Sequence, residues 1–134
     1  MASKIDPNAR YLKTHEWVRP SNEHPGEYYS GISDHAQDAM SDLVFAELPR
    51  MGTKLKAGEV FGVVESVKAA SDVYMAATGI ITATNTALES APETINQDAF
   101  GAGWMIRFRP DNPDDLMMLM NAAAYEKFLV ETAH

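Results

Sequence analysis

Apolar residues in this chain come in short runs broken by turn-forming residues, which predicts many brief strands rather than long helices. Glu16-Trp17-Val18 marks a strand within residues 12–19. Ser21-Asn22-Glu23-His24-Pro25-Gly26 predicts a turn, and residues 28–32 the next strand. Ser33 ahead of Asp34, His35, Ala36 and Gln37 reads as a helix N-cap. That helix is brief, because Leu43-Val44-Phe45-Ala46-Glu47-Leu48 returns to strand composition and Pro49 closes it. Beyond Gly52, strands are predicted over 60–64, 72–75, 80–84 and 104–108, with Gly58, Gly62 and Gly79 as punctuation. The period then changes. Asp111-Asn112-Pro113-Asp114-Asp115 loads acids onto a helix start, and short helices are predicted over about 114–120 and 122–131, the second capped by Asn121.

This layout predicts a mainly β fold with short flanking helices, a small barrel or sandwich, in one domain. The domain is 1–134, with its core at about 11–110 and its C-terminal helices at about 113–131. Trp17 and Trp104 are expected in the core, each with an N–H partner. Met117, Met118 and Met120 are expected to fill core gaps under the C-terminal helices.

Composition narrows the function classes. Hydrophobic residues make up 46% and charged residues 22%, a globular rather than a disordered balance. No apolar run approaches the ~20 residues that span a bilayer, so no membrane association is expected. Met1 to Pro7 contains no apolar stretch of a secretory signal, which predicts a bacterial cytoplasmic protein, with a processed mitochondrial-matrix form as the alternative. The chain has no cysteine, which excludes disulfides, thiolate metal sites and a thiol nucleophile. His15, His24, His35 and His134 lack the spacing of a metal site, so no metal is expected. A net charge of −8 argues against nucleic acid and suits docking onto basic protein surfaces, though many small proteins are simply acidic. With no Gly-rich phosphate loop and no nucleophile–base pair, no enzyme activity is expected.

The strand pattern leaves residues 66–71 as a connection, with Lys68 near the tip of a hairpin. It is the only lysine between Lys56 and Lys127. Ser66, Ala69, Ala70 and Ser71 are small and leave room for another protein to grip it. On position alone, a solvated lysine that blocks edge pairing is the ordinary reading. A Schiff-base or general-base lysine would need burial, which a hairpin tip does not offer.

The surrounding residues are more specific. Phe61-Gly62-Val63-Val64-Glu65-Ser66-Val67-Lys68-Ala69-Ala70-Ser71-Asp72 closely resembles the lipoylation segment of the glycine cleavage system H protein family. Thr14-His15-Glu16-Trp17-Val18, Gly31-Ile32-Ser33-Asp34-His35-Ala36-Gln37 and Val44-Phe45-Ala46-Glu47-Leu48-Pro49 resemble that family's earlier blocks, in order. Ile95-Asn96-Gln97-Asp98 and Gly103-Trp104-Met105 resemble its last strand region. Gly52 stands sixteen residues before Lys68 and Gly79 eleven after it, matching the glycine spacing of lipoyl domains. The chain departs from the family at Tyr74-Met75, where a Ser-Pro pair is usual, and at Met40-Ser41, where a Leu-Gly pair is usual.

The resemblance implies a lipoyl/biotinyl-type flattened β-barrel, a sandwich hybrid, with lipoic acid attached to Lys68. It implies recognition by a lipoate-attaching enzyme through Glu65, Gly52 and Gly79. It also implies a monomeric, non-catalytic shuttle. Such a shuttle takes an aminomethyl group from a PLP-dependent glycine decarboxylase to a tetrahydrofolate-dependent aminomethyltransferase. It is then reoxidised by dihydrolipoyl dehydrogenase. Residues matching the family's arm cleft are Thr14, where some relatives carry serine, and the acids Glu16 and Asp72. Two alternatives accompany this reading. A biotin carrier would share the architecture but usually has methionines flanking the lysine, where this chain has Val67 and Ala69. A lipoyl or octanoyl relay within lipoate metabolism would share both the family and the lysine.

Overall fold

The computed structural model describes residues 3–133. Met1, Ala2 and His134 lie outside the described residues, and with them the two ends of the expected domain and one of the four histidines. In chain order the elements are β1 (Arg10–Tyr11), β2 (Glu16–Pro20), β3 (Tyr28–Ile32), α1 (Asp34–Met40), β4 (Leu43–Glu47), β5 (Lys54–Leu55), β6 (Val60–Ser66) and β7 (Ala70–Tyr74). There follow β8 (Gly79–Thr84), α2 (Ala87–Ser90), α3 (Thr94–Gln97), β9 (Ile106–Pro110), a 3-10 helix over Pro113–Met118 and α4 (Ala122–Glu131).

The strands form two antiparallel sheets. One has the order β1-β2-β3-β9-β8-β5 and the other β4-β6-β7. Alternation along β2 shows how the sequence builds two cores. Val18 faces the second sheet and joins the main cluster with Phe61, Val64, Val73, Met105 and Phe108. Trp17 points the other way, into a smaller cluster with Tyr11 and Tyr125, its indole N–H donating to Ala99 O at 3.0 Å. The period of two puts Glu16 on the side of Val18, so this acid is carried into the space between the sheets.

The Glu27 charge is paired inside the fold. The buried Glu27 carboxylate accepts from Thr82 Oγ1 at 2.6 Å and Arg107 Nε at 2.7 Å, and from Arg109 at 2.9 Å. Burial pushes this carboxyl up, but those hydrogen bonds and the two guanidinium charges outweigh it and hold it below the usual carboxylate range.

The mainly β sandwich with a C-terminal helix is the predicted class, and Ser33 and Asn121 cap α1 and α4 through their side-chain oxygens. Several details differ from the sequence expectations. β7 begins at Ala70 rather than residue 72, because its ladder with β6 extends to the Glu65–Ala70 pair. The connection holding Lys68 shrinks accordingly from 66–71 to three residues. β9 runs two residues later than predicted and takes in Pro110, tolerable because proline ends the strand. Residues 95–98, expected in a strand region, lie largely in α3. The first C-terminal helix is a 3-10 turn, with Asn112 as its cap and Pro113 at its start. Met117 and Met118 do not fill the core: they are 62% and 87% exposed, because so short a turn buries only Leu116. Trp104 is only partly buried, stacking edge-on against Tyr29 at 5.1 Å.

Candidate functional site

Two features converge at one end of the second sheet, an exposed turn and a cleft beside it. The turn joins β6 to β7 through Val67, Lys68 and Ala69. It is closed by the Ser66 N–H donating to Ala69 O at 2.8 Å and the Ala69 N–H donating to Ser66 Oγ at 3.2 Å. A serine at the end of β6 therefore ties the loop shut with its own hydroxyl. Val67, Lys68, Ala69 and Ala70 are all exposed, and Val67 is 89% so. Among the described residues, no carboxylate pairs with the Lys68 ammonium. A hollow of about 200 Å³ adjoins it, lined by Ser41, Asp42, Ser66 and Val67. Glu65 lies half-buried at the end of the same ladder, opposite Phe45 on one side and Ala70 on the other.

Gly52 and Gly79 serve different purposes. Gly52 adopts φ +85°, with open space where a Cβ would stand. Gly79 has no such backbone. A Cβ there would lie 2.4 Å from Arg109 O and 2.9 Å from Pro110 Cα, so it is the close approach of β8 to β9 that demands glycine. Neither touches the Lys68 turn.

The cleft has a volume of about 170 Å³ and brings together Thr14, Glu16 and Asp72, the three residues singled out as an arm cleft. The resemblance did not assign its apolar wall, which is built by Ile32, Ala36, Ala39, Met40 and Val64. The cleft starts close to the turn. Ser71 of β7, three residues beyond Lys68, lines it, so the two are at most about 10 Å apart along the chain. Asp72 is exposed at its rim and its carboxylate has no hydrogen-bond partner among the described residues.

Glu16 is 1% exposed. One carboxylate oxygen accepts from the Thr14 hydroxyl, and the other accepts the Tyr74 N–H at 2.8 Å. Burial raises this carboxyl above its ordinary value, and the hydrogen bonds from Thr14 and Tyr74 only partly offset that. His15, between the two, has φ +78°. Its Nδ1 lies 2.8 Å from the Tyr125 hydroxyl, and its ring lies against His35 at 4.7 Å between centroids, with the planes tilted by 34°. Burial, and then the neighbouring His35, lower its pKa. His15 and Tyr125 are parts of this site that sequence reasoning did not single out. A histidine at the turn before β2 was a faint signal, while Tyr125 gave none, being one more apolar position of an amphipathic helix.

Taken as chemistry, the arrangement offers an accessible primary amine next to a narrow trough, apolar along one wall and carrying the acids Glu16 and Asp72. Among the described residues there is no group of three or more potential metal ligands. The glycine cleavage H-protein family model matches residues 9–132. Glycine cleavage system H proteins from Chromohalobacter salexigens and Nitrosospira multiformis are both 48% identical, the first over 92% of this chain and 93% of its own length, the second over 97% and 98%. That of Opitutus terrae is 46% identical over 95% and 98%. A crystal structure of a glycine cleavage system H protein from Mycobacterium marinum superposes with a TM-score of 0.81 at 33% identity, covering 97% of this chain and all of that one.

Proposed function

The chain belongs to the glycine cleavage H-protein family, and from that premise we propose that it is a single-domain, non-catalytic carrier that holds lipoic acid in amide linkage on Lys68. The observation that carries this reading is the placement of Lys68 at the centre of a three-residue exposed turn, three residues from a trough that matches the attached group in character. An alkyl chain suits the wall of Ile32, Ala36, Met40 and Val64, and a polar end suits Thr14, Glu16 and Asp72.

When bound, the lipoyl group supplies a reducible disulfide that can carry an aminomethyl unit from a glycine decarboxylase to a tetrahydrofolate-dependent aminomethyltransferase, with dihydrolipoyl dehydrogenase restoring the disulfide. This chain's residues do three things around it. The turn presents the Lys68 Nζ, with the small Ala69 and Ala70 leaving access for a lipoate-attaching enzyme, and Glu65 close by as a recognition carboxylate. The tether keeps the carried unit at an effective concentration on the order of millimolar at each docked partner. The trough shelters the cationic amine from water: Asp72 pairs with it at the rim, and Glu16 accepts from it on the lone pairs left by Thr14 and Tyr74. Because the chain has no cysteine, no protein thiol competes with the arm by exchange.

Intact-mass analysis of protein from a lipoate-replete host tests the attachment. One lipoyl adduct is expected on the wild type and none on Lys68→Ala. A biotin adduct, or no adduct at all, would refute it. Reconstitution with the three partner enzymes then separates this shuttle from a lipoyl relay, which would pass on its cofactor without supporting glycine turnover.

A further inference from the structure

The β1–β2 connection is a tight turn in which Leu12 O accepts the His15 N–H at 3.0 Å, while the Leu12 N–H donates to Glu16 O at 3.0 Å. Its last residue sits at φ +78°. Three-residue hairpins of this kind place glycine there, because the left-handed region costs a side-chain-bearing residue about 1 kcal/mol or more. Here the residue is His15, so something has to hold it. The Ser33 N–H donates to His15 O at 2.8 Å. The ring is held by Tyr125 of α4, whose hydroxyl lies 2.8 Å from His15 Nδ1 and 2.7 Å from Ser33 Oγ.

The Ala36 N–H donates to Ser33 Oγ at 3.2 Å. Among the described hydrogen bonds the Tyr125 oxygen is the acceptor within reach of the Ser33 hydroxyl proton, which sends the Tyr125 proton to His15 Nδ1 and leaves the imidazole proton on Nε2. The reverse order would leave the Ser33 hydroxyl proton without an acceptor. Tyr125 is fully buried and its ring is stacked on Tyr11 at 4.1 Å, with planes 2° apart, so its hydroxyl is aimed rigidly.

We infer that Tyr125 is a positioning residue for the arm cleft: through His15 it fixes the turn that sets Thr14 and Glu16 against β7. This rests on the carrier reading above and adds to it, because it makes the C-terminal helix part of the machinery that shelters the arm. Among the described residues, no hydrogen bond or ion pair joins α4 to the side chain of Lys68 or Asp72. Its effect is transmitted by the two residues flanking His15, whose hydroxyl and carboxylate meet each other and the Tyr74 N–H.

Tyr125→Phe removes only the hydroxyl and keeps the stack on Tyr11. Tyr11→Phe is the control, since the Tyr11 hydroxyl donates to Asp6 O and does not reach the turn. Two readouts need no cofactor. Imidazole nitrogen shifts of the full-length chain should show one tautomer of His15 in the wild type and in Tyr11→Phe, and a mixture in Tyr125→Phe. The groups facing that ring are His35 from α1 and Tyr125 and Phe128 from α4. Exchange of the Tyr74 N–H should speed up by about two- to ten-fold in Tyr125→Phe, the factor one ordinary hydrogen bond supports. A third readout uses lipoylated chain loaded with the aminomethyl unit and followed by intact mass, where the loss should accelerate by a similar factor. An unchanged tautomer with unchanged Tyr74 exchange overturns the inference, as does equal loss from wild type and Tyr125→Phe. If Tyr125→Phe fails to fold, His15→Asn decides the matter: asparagine tolerates the left-handed backbone but cuts the link from its other end, and the same faster exchange is expected. A chain that takes no lipoyl group refutes the carrier reading instead, while the tautomer and exchange readouts still decide the positioning role.

Discussion

The Glu16 carboxylate accepts the Tyr74 N–H at 2.8 Å, and so ties β2 in the six-stranded sheet to β7 at the edge of the three-stranded one. An edge strand presents unpaired N–H groups, and here one of them is capped by a buried acid from the opposite sheet. Glu16→Ala removes that cap and leaves the N–H without a partner, at a cost of about 1–3 kcal/mol in urea unfolding. Faster loss of the carried unit from this variant therefore mixes two effects. Glu16→Gln separates them, since its amide can accept from Tyr74 and donate to Thr14. Burial raises the Glu16 carboxyl in the folded state, so folding disfavours its charged form relative to the unfolded chain. The folded state is then penalised progressively as pH rises from the ordinary carboxylate range through the raised value. Wild type should lose stability relative to Glu16→Gln across that interval. Parallel curves of stability against pH for the two proteins would contradict this.

Lys68→Ala should abolish lipoyl attachment and leave stability within about 0.5 kcal/mol of wild type, as for a surface position away from packing. Mass spectrometry and urea titration on the same preparation check both halves. A large loss of stability would mean that the turn depends on the lysine, against its exposed and unpaired geometry.

Ser41 occupies φ +66°, ψ −158°, a region almost reserved for glycine. The family resemblance places a glycine at this position, and the backbone shows why. The Asn96 amide donates to Ser41 O at 2.9 Å, and its oxygen accepts the Leu43 N–H at 2.9 Å, which hold the segment in place. Ser41→Gly should stabilise the protein by about 1 kcal/mol, seen as a higher urea midpoint with an unchanged slope. A lower midpoint would show that the serine contributes a contact that outweighs its backbone cost.

The two glycines of the lipoyl-domain spacing should respond unequally to alanine. Gly79→Ala drives a methyl into Arg109 O and Pro110, and should cost about 3 kcal/mol, the upper end for overpacking. Gly52→Ala meets no atom and should lose only about 1–2 kcal/mol for its left-handed backbone. Thermal or urea denaturation of both decides this, and equal losses would rule out the distinction.

Much of the framework was legible from local signals. The Ser33 and Asn121 caps, the strands over residues 28–32 and from Val60, and a hairpin connection containing Lys68 follow from residue type and period, because they depend on nearest neighbours along the chain. Helices α2 and α3 were not legible. They are single turns in a stretch with weak periodicity, held by contacts such as Ile95 in the core and Asn96 on the Ser41–Leu43 segment. The exposed Met117 and Met118 were misjudged for a related reason: a methionine's hydrophobicity does not say whether a six-residue turn has a face long enough to bury it.

The sequence by itself determined the alternation that sends Glu16 inward with Val18, the small residues around Lys68 and the family to which the chain belongs. Only the tertiary structure decided what those residues meet. Glu16 lies 58 residues from the Tyr74 N–H, and His15 lies 110 from the Tyr125 hydroxyl. Pairings at that separation are set by how two sheets and a terminal helix pack, and packing is a property of the assembled core rather than of any segment's own preference.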